Sequence, residues 1–208
     1  MVLNAKKFMR RLIELSTKSS NLNARLLITK QAKSDINWWI ECMVGYNGVE
    51  WFPREIDMRT AVLTFSDASN IALAGICCQN WTIIPYVGEY FWLAKTSIQY
   101  RELYAAVLTI ATFAYKLRNR QVIMHIDNQS MQRCITSGTS KVPDIMGLIR
   151  SLYYYTTIHN IDYRCIHIGT HTNVESDLLS RLRLTEFFII CPNACPKMSR
   201  PARIIRDF

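Results

Sequence analysis

Four carboxylates stand where an acid is unfavourable for folding, at the ends of predicted strands or in the first turns of predicted helices. Acidic residues are scarce in this part of the chain, with eight between positions 61 and 182. Because the carboxyl ends of parallel strands meet the starts of neighbouring helices at one edge of a sheet, we expect the four to converge. They are Asp67 in FSDAS, Glu102 in RELYAA, Asp127 in MHIDNQS and Asp177 in NVESDLLSR.

Converging carboxylates point to metal chemistry. They repel one another and lose hydration, which is unfavourable unless cations neutralise them. Hard oxygen ligands suit Mg²⁺ or Mn²⁺. Two such ions, roughly 3.5 to 4 Å apart, can activate water and stabilise the leaving oxygen in phosphodiester hydrolysis. The residues therefore predict a phosphodiester hydrolase that uses two Mg²⁺ ions, for which Mn²⁺ can substitute.

Each carboxylate also has a structural interpretation. An aspartate at a strand end, such as Asp67 or Asp127, can cap a turn or the next helix. Glu102 and Asp177, near helix N-termini, can complement the helix macrodipole. These interpretations suffice for single residues, but the coincidence of all four in one α/β order favours the metal site.

Hydrophobic periodicity predicts the elements that must position these residues. Short apolar segments separated by polar turn residues are typical of strands, and a period of 3.6 is typical of helices. Thr172 and Glu175 form a capping-box pattern before the last helix. The predicted strands span 61–66, 71–78, 81–87, 121–126 and 161–168, and the predicted helices span 97–117, a short segment from about 128, 143–159 and 173–182.

This order of elements predicts an α/β fold with a mixed five-stranded sheet. The first three strands form an antiparallel meander, whereas strands separated by helices must be parallel and joined by right-handed crossovers. The strands at 121–126 and 161–168 are thus parallel to the first strand. Helices cover both faces of the sheet.

Two flanks complete the predicted organisation. Residues 1–60 form a helical N-terminal connection segment, in which a helix over 32–44 places Ile36, Trp39, Ile40 and Met43 on its apolar side. Residues 61–182 form the α/β domain. Residues 183–208 contain three prolines and no periodicity, which predicts a basic, loosely ordered tail.

Charge and cysteine content limit the classes of function. The net charge of the 208 residues is +9, with ten basic and six acidic residues in 1–60, ten and eight in 61–182, and five and two in 183–208. A basic excess in the flanks favours a polyanionic partner such as nucleic acid. Seven cysteines without framework spacing, and no apolar N-terminal segment, predict an intracellular protein, cytoplasmic or nuclear, with no membrane span.

Four phrases of the sequence resemble the ribonuclease H domain of retroelement reverse transcriptases. They are TFSDAS, RELYAAVLTI, MHIDNQS and HIGTHTNVESDLLSR, and they follow that family's order of D, E, D and D carboxylates. The closing phrase is the most specific. Its matches to the family's H, N, D and LSR ending are His167, Asn173, Asp177, Leu179, Ser180 and Arg181.

The segment upstream of the domain narrows the resemblance. INWWIECMVGYNGVEW, with Trp38, Trp39, Asn47 and Gly48, is similar to the segment that precedes this domain in DIRS-like tyrosine-recombinase retroelements. The resemblance thus covers about 32–182. No polymerase motif with paired aspartates is present in the sequence.

The resemblance implies an activity and roles for the carboxylates. Asp67 would bridge two Mg²⁺ ions, and His167 would belong to the catalytic residues. Glu102 and Asp127 would help to hold one ion, and Asp177 would help to hold the other. The implied substrate is the RNA strand of an RNA/DNA hybrid, and a reverse transcriptase polymerase domain is an implied partner.

The sequence departs from the family pattern in the loop after His167. Glu175 and Ser176 precede Asp177 where small residues are more common, and Thr170 and His171 follow the usual glycine. These changes leave the ligand set intact and alter the loop.

Several side chains are candidates for contacts with the hybrid. Ser69 and Asn128 could contact the RNA strand, although turn formation also explains them. Arg150 is a further candidate, and tryptophans such as Trp38 and Trp81 could stack on bases, although core packing explains them equally. The predicted nucleic-acid-binding residues are Ser69, Asn128, Arg133, Lys141, Asn173 and Arg181.

Two alternatives remain at this point. His167 and His171 with Cys191 and Cys195 loosely resemble an integrase-type zinc site, although the cysteine spacing is unusual. In a second class of function, the chain is a weakly active or inactive nucleic-acid-binding or assembly module of a retroelement polyprotein. An intact carboxylate set favours the enzyme.

Overall fold

A mixed five-stranded sheet forms the centre of the molecule, as predicted. The computed structural model describes residues 5–19, 21, 23–44 and 56–204. The strand order is β3-β2-β1-β4-β5, with β1 antiparallel to β2 and parallel to β4, and β4 parallel to β5. This is the ribonuclease H-like arrangement that the motif phrases imply. The strands are β1 (Val62–Ala68), β2 (Ala72–Cys77), β3 (Asn80–Pro85), β4 (Gln121–Ile126) and β5 (Asp162–His167).

Helices follow the predicted order, with two additions that the periodicity did not predict. The first is a 3₁₀ helix, Gly88–Lys95, and the second is the short helix α7. Both are too short to give a clear helical period. The α-helices are α1 (Ala5–Ser16), α2 (Lys30–Val44), α3 (Ile98–Leu117), α4 (Gln129–Ser137), α5 (Pro143–Ile158), α6 (Val174–Ser180) and α7 (Leu184–Ile190).

The two faces of the sheet have separate hydrophobic cores, so helices cover both faces as predicted. All six residues of β2 are buried, as expected for a strand covered on both sides. Leu73 points into the core beneath α3 and α5, whereas Ala74 points into the core beneath α6 and α7. At Gly75 a Cβ atom would lie 2.0 Å from Oγ1 of Thr109, so only glycine lets α3 pack this closely on β2.

The predicted buried face of α2 is wrong in part. Ile40 and Met43 are exposed, although Trp39 packs against the core. The residues that α2 buries are Ala32, Asp35, Trp38 and Cys42.

A buried ion pair explains this rotation of α2. Asp35 accepts hydrogen bonds from the guanidinium of Arg150 on α5, and Nε1 of Trp38 donates to the carbonyl oxygen of Arg150 at 2.9 Å. Because a buried guanidinium needs a counter-charge, this pairing overrides the apolar stripe. Arg150 is therefore not available for hybrid phosphates. The predicted turn residues Asn47 and Gly48 lie outside the described residues.

The C-terminal segment is ordered over its described part, contrary to the expectation of a loose tail. Phe187 on α7 is buried against Trp81 of β3. Nε1 of Trp81 donates to the carbonyl oxygen of Cys195, and the backbone N–H of Ser199 donates to that of Trp81. Aromatic packing on the edge strand β3 fixes this segment without a long helical period. Trp81 belongs to this core and does not face nucleic acid.

Candidate metal centre

Three of the four predicted carboxylates converge at one edge of the sheet. Asp67 lies near the end of β1, Glu102 in the second turn of α3, and Asp127 directly after β4. One oxygen from each lies within 4.8 Å of the others. We call Asp67, Glu102 and Asp127 the carboxylate cluster.

Strand register places the two aspartates side by side. In the parallel pairing of β1 and β4, Phe65 lies opposite His125, so Asp67 and Asp127, each two residues further on, leave the sheet together. Asp127 is followed by Asn128, whose side-chain oxygen accepts a hydrogen bond from a backbone N–H and so caps α4.

The start of α3 positions the glutamate. The Oγ of Ser97 accepts a hydrogen bond from the backbone N–H of Tyr100, which fixes the first helical turn. Glu102 follows in the next turn and contacts the end of β1, where the backbone N–H of Ala68 donates to its carboxylate. This helix is continuous with the buried core, so Glu102 is only 6% exposed.

Burial and mutual repulsion raise the pKa values of two cluster members. Desolvation raises the pKa of Asp67 to about 6, and the charges of Asp127 and Asp177 add to the rise, while a hydrogen bond from Ser180 opposes it. Desolvation also raises the pKa of Glu102 to about 10, together with the charges of Asp67 and Asp127 and a hydrogen bond to Asp127. At neutral pH without a cation, Glu102 is therefore protonated and shares its proton with Asp127.

Asp177 stands apart from the carboxylate cluster. It lies on α6, close enough for its charge to raise the pKa of Asp67. Its Oδ1 accepts a hydrogen bond from Nε of Arg181 at 2.7 Å. The fourth predicted carboxylate is thus a neighbour of the cluster with its own cationic partner.

Sequence reasoning missed a hydrogen-bond network that holds Asp67. The hydroxyl of Ser180, which is fully buried, donates to Oδ2 of Asp67. The hydroxyl of Ser69 donates to the carbonyl oxygen of Ser180 at 2.7 Å, which ties α6 to the turn after β1. Arg101 and Tyr86 both donate to the carbonyl oxygen of Ser69. The only signal in the sequence was the position of Arg101 beside Glu102 and of Ser180 in the LSR phrase.

Asn173 connects α6 to the central strand. It is 1% exposed, and its Nδ2 donates to the carbonyl oxygen of Ser66 at 3.0 Å. It is also the residue that precedes the first turn of α6, so the Thr172 capping box does not form, and the Thr172 hydroxyl donates to Gly169 instead. Asn173 thus has a structural role and does not reach the surface.

The other predicted site residues lie around the cluster. His167, at the end of β5, has its Nε2 3.1 Å from the carbonyl oxygen of Asp127. Arg133 on α4 and Lys141 before α5 are exposed. Ser69 and Asn128 are half-buried, with hydrogen bonds to the backbone.

The four residues of the zinc alternative do not assemble. Among the described residues, the carboxylate cluster is the one group of three or more His, Cys, Asp or Glu side chains within ligand distance. His167 lies at the end of β5, whereas the backbone N–H of Cys195 donates to Gln79 at the β2–β3 turn. The two cysteines and His167 therefore lie towards opposite edges of the sheet.

The donor set of the cluster fits a hard divalent cation. Its ligand atoms are carboxylate oxygens, which Mg²⁺ and Mn²⁺ prefer. The raised pKa values of Asp67 and Glu102 show that the site disfavours its own negative charge, and a bound cation would reverse that preference.

Fold and site together define a ribonuclease H-like α/β domain with a carboxylate cluster at the ends of its central strands. No family profile matches the sequence, and no curated protein is detectably similar to it. None of the described helices is both long and apolar enough to cross a membrane.

Solved structures of three proteins share the fold at low identity. RNase H1 from the halophilic archaeon Halobacterium salinarum is 15% identical over 61% of this chain and 98% of its own, with a TM-score of 0.46. LC11-RNase H1, isolated from compost, is 16% identical over 61% and 95%, with a TM-score of 0.39. The foamy viral protease-reverse transcriptase in complex with double-stranded DNA is 12% identical over 78% and 30%, with a TM-score of 0.32. The fold assignment rests on the strand order and register described above.

The raised pKa values predict how the stability of the metal-free protein depends on pH. An acid whose pKa is higher in the folded state stabilises that state below its unfolded pKa, and this contribution is lost as pH rises through the folded pKa. We therefore expect the free energy of unfolding in EDTA to fall between pH 6 and 9 through Glu102, by up to about 1.4 kcal/mol per pH unit.

Glu102→Gln should flatten this pH dependence, because glutamine does not titrate. Glu89→Gln, at an exposed position of the 3₁₀ helix, is the matched control and should keep the wild-type slope. Urea denaturation at several pH values measures the effect. Parallel pH profiles for wild type and Glu102→Gln would contradict the assignment.

Proposed function

We propose that this chain is a metal-dependent endonuclease that hydrolyses the RNA strand of RNA/DNA hybrids. The observation that carries the proposal is the convergence of three largely buried carboxylates from β1, α3 and the end of β4, with oxygens within 4.8 Å of one another. A protein gains no folding stability from such a cluster, because burial and repulsion both disfavour its charge. Its arrangement is explained by a cationic ligand.

The cluster residues have distinct parts in this proposal. Asp67, Glu102 and Asp127 would hold Mg²⁺, and Asp177 would contribute to a second ion from α6. When bound, the ions would supply an activated water and stabilisation of the leaving oxygen of the phosphodiester. Mn²⁺ would substitute for Mg²⁺.

Neighbouring side chains prepare the cluster for its ligand. The Ser180 hydroxyl fixes the orientation of the Asp67 carboxylate and stabilises its charged form. Glu102 holds a proton in the metal-free state and has to release it, so cation affinity should increase with pH. His167, beside the carbonyl oxygen of Asp127, is positioned at the rim as a catalytic residue of this proposal.

The proposal extends to origin and partners. The closing phrase 167–181 supports derivation from a retroelement of the DIRS-like type, and a reverse transcriptase polymerase domain is then the proposed partner. Residues 1–60 would be the connection segment, 61–182 the ribonuclease H domain and 183–208 its basic extension. An intracellular location, cytoplasmic or nuclear, is part of the same proposal.

One observation favours the alternative of a weakly active binding module. Asp177 is paired with Arg181 and does not belong to the carboxylate cluster. If that pairing persists with substrate, the chain would hold one ion rather than two and would bind hybrids with little turnover.

Thermal melting with and without divalent ions tests the metal centre directly. An ion that binds only the folded state stabilises it by mass action, so Mg²⁺ at about ten times its dissociation constant should contribute roughly 1.4 kcal/mol. For a chain of this length that is a rise in Tm of about 3–6 °C. Mn²⁺ should act at lower concentration than Mg²⁺.

Asp127→Asn supplies the matched comparison. It removes one repelling charge, so it should raise the Tm in EDTA and reduce the rise caused by Mn²⁺, whereas Glu89→Gln should change neither. A gel assay of labelled RNA/DNA hybrid with Mg²⁺, Mn²⁺ or EDTA then decides between enzyme and binding module. Identical melting curves with EDTA and millimolar Mn²⁺ would exclude the metal centre.

A further inference from the structure

A large basic cleft lies between the N-terminal helices and the α/β domain. Its volume is about 1220 Å³, and its walls come from α1, α2, the starts of α3 and α5, and the C-terminal segment. None of the residues in the carboxylate cluster lines it. The cationic side chains in its lining are Arg11, Lys30, Lys33, Lys141, Arg150 and Arg203.

Five of these six cations lack a carboxylate partner. Arg150 is neutralised by Asp35, but no ion pair within 4.0 Å forms at the other five among the described residues. Asp144 is the one acidic residue in the lining. The cleft therefore carries a concentrated positive charge in a concave surface, where field lines are focused.

The lining also offers polar groups suited to phosphate oxygens. Gln31 and Asn37 on α2 are exposed side chains with N–H donors. The 16-residue helix α5 begins in the cleft, and no side chain caps its N-terminus at Val142. The positive end of its dipole adds to the potential of the surrounding cations.

The position of the cleft relates it to the carboxylate cluster. Tyr100 lines the cleft, and Glu102 follows it two residues later on α3. Both features therefore lie at the same end of that helix. A duplex that reaches the cluster passes near the cleft, and the cluster itself is too negative to hold phosphates without cations.

We propose that this cleft binds the phosphate backbone of a nucleic-acid duplex. Cations from both flanks of the chain meet there, with Arg11, Lys30 and Lys33 from one flank and Arg203 from the other. Contacts to phosphate fix position without reading sequence, so the cleft should bind an RNA/DNA hybrid and a DNA duplex alike. The identity of the hybrid as substrate rests on the proposed function, whereas binding of the duplex does not.

The salt dependence of binding by Lys30→Gln/Lys33→Gln tests this proposal. Both lysines are exposed and lie outside the metal centre. Each lost phosphate contact should reduce the slope of log affinity against log salt by about 0.9, so the double variant should lose about 1.8 and bind at least about tenfold more weakly. Fluorescence anisotropy with a labelled hybrid and the matching DNA duplex, both in EDTA, measures this without cleavage.

The control removes the same charge at the far end of α3. Arg118 and Arg120 are exposed there, about 30 Å along the helix from its start. Arg118→Gln/Arg120→Gln should retain the wild-type slope. Arg203→Gln, on a separate wall of the cleft, should lose about half as much slope as the lysine pair, and thermal melts of all variants establish that they fold.

The outcomes separate this inference from the proposed function. Equal losses in the cleft and control variants, or an unchanged slope in the lysine variant, would overturn it, as would the absence of duplex binding by wild type at low salt. Loss of binding to phosphatidylserine-containing vesicles with unchanged duplex binding would also overturn it, in favour of a membrane. Normal cleft binding without any hybrid cleavage would leave the cleft intact and refute the nuclease alone.

Discussion

Asp67→Asn is expected to reduce hybrid cleavage by more than about 100-fold while the protein remains folded. Loss of a group that merely orients a metal ligand typically reduces activity 10- to 100-fold, and Asp67 is proposed as a ligand itself. Asparagine has almost the same shape and accepts the Ser180 hydrogen bond through its carbonyl oxygen. Because the wild-type carboxylate is desolvated and repelled by its neighbours, the variant should be at least as stable in EDTA.

Single-turnover cleavage of a labelled hybrid in Mg²⁺ measures this effect, and circular dichroism establishes the fold. Glu89→Gln removes one exposed charge and should cleave at the wild-type rate. Undiminished Mg²⁺-dependent cleavage by a folded Asp67→Asn protein would remove Asp67 from the mechanism, whatever the behaviour of the remaining cluster.

Breaking the ion pair between Asp35 and Arg150 should produce the largest loss of stability. The side chains are 2% and 4% exposed, so removal of either partner leaves a buried charge without compensation. Such losses are typically about 3–5 kcal/mol. Arg150→Met and Asp35→Leu should each lower the free energy of unfolding by about this amount.

The double variant Asp35→Leu/Arg150→Met should be more stable than either single variant. Burial raises the pKa of Asp35 even beside Arg150, which shows that desolvation offsets most of the attraction between the charges. Urea denaturation of the four proteins gives the coupling energy. Additive losses in the double variant would mean that the two residues act independently and that the pair does not orient α2.

The sequence alone determined the elements and the carboxylate cluster, because both depend on local patterns. Periodicity places β4 at Gln121–Ile126 as predicted, and α3 within one residue of its predicted start. Asp67 and Asp127 each lie at the end of a strand, and parallel pairing of those strands is sufficient to bring them together. Helix α6 was predicted two residues too long at its C-terminal end, and its N-terminus is not formed by the capping box.

Only the tertiary structure decided which long-range partners meet. The apolar stripe of α2 predicted the wrong face because Asp35 pairs with a residue 115 positions away, and periodicity carries no information about such pairs. Asp177 lies apart from the cluster because Arg181, one helical turn later, pairs with it. The basic residues of both flanks were visible as an excess of charge, but their meeting in one cleft depends on the docking of α2 and the C-terminal segment against the domain.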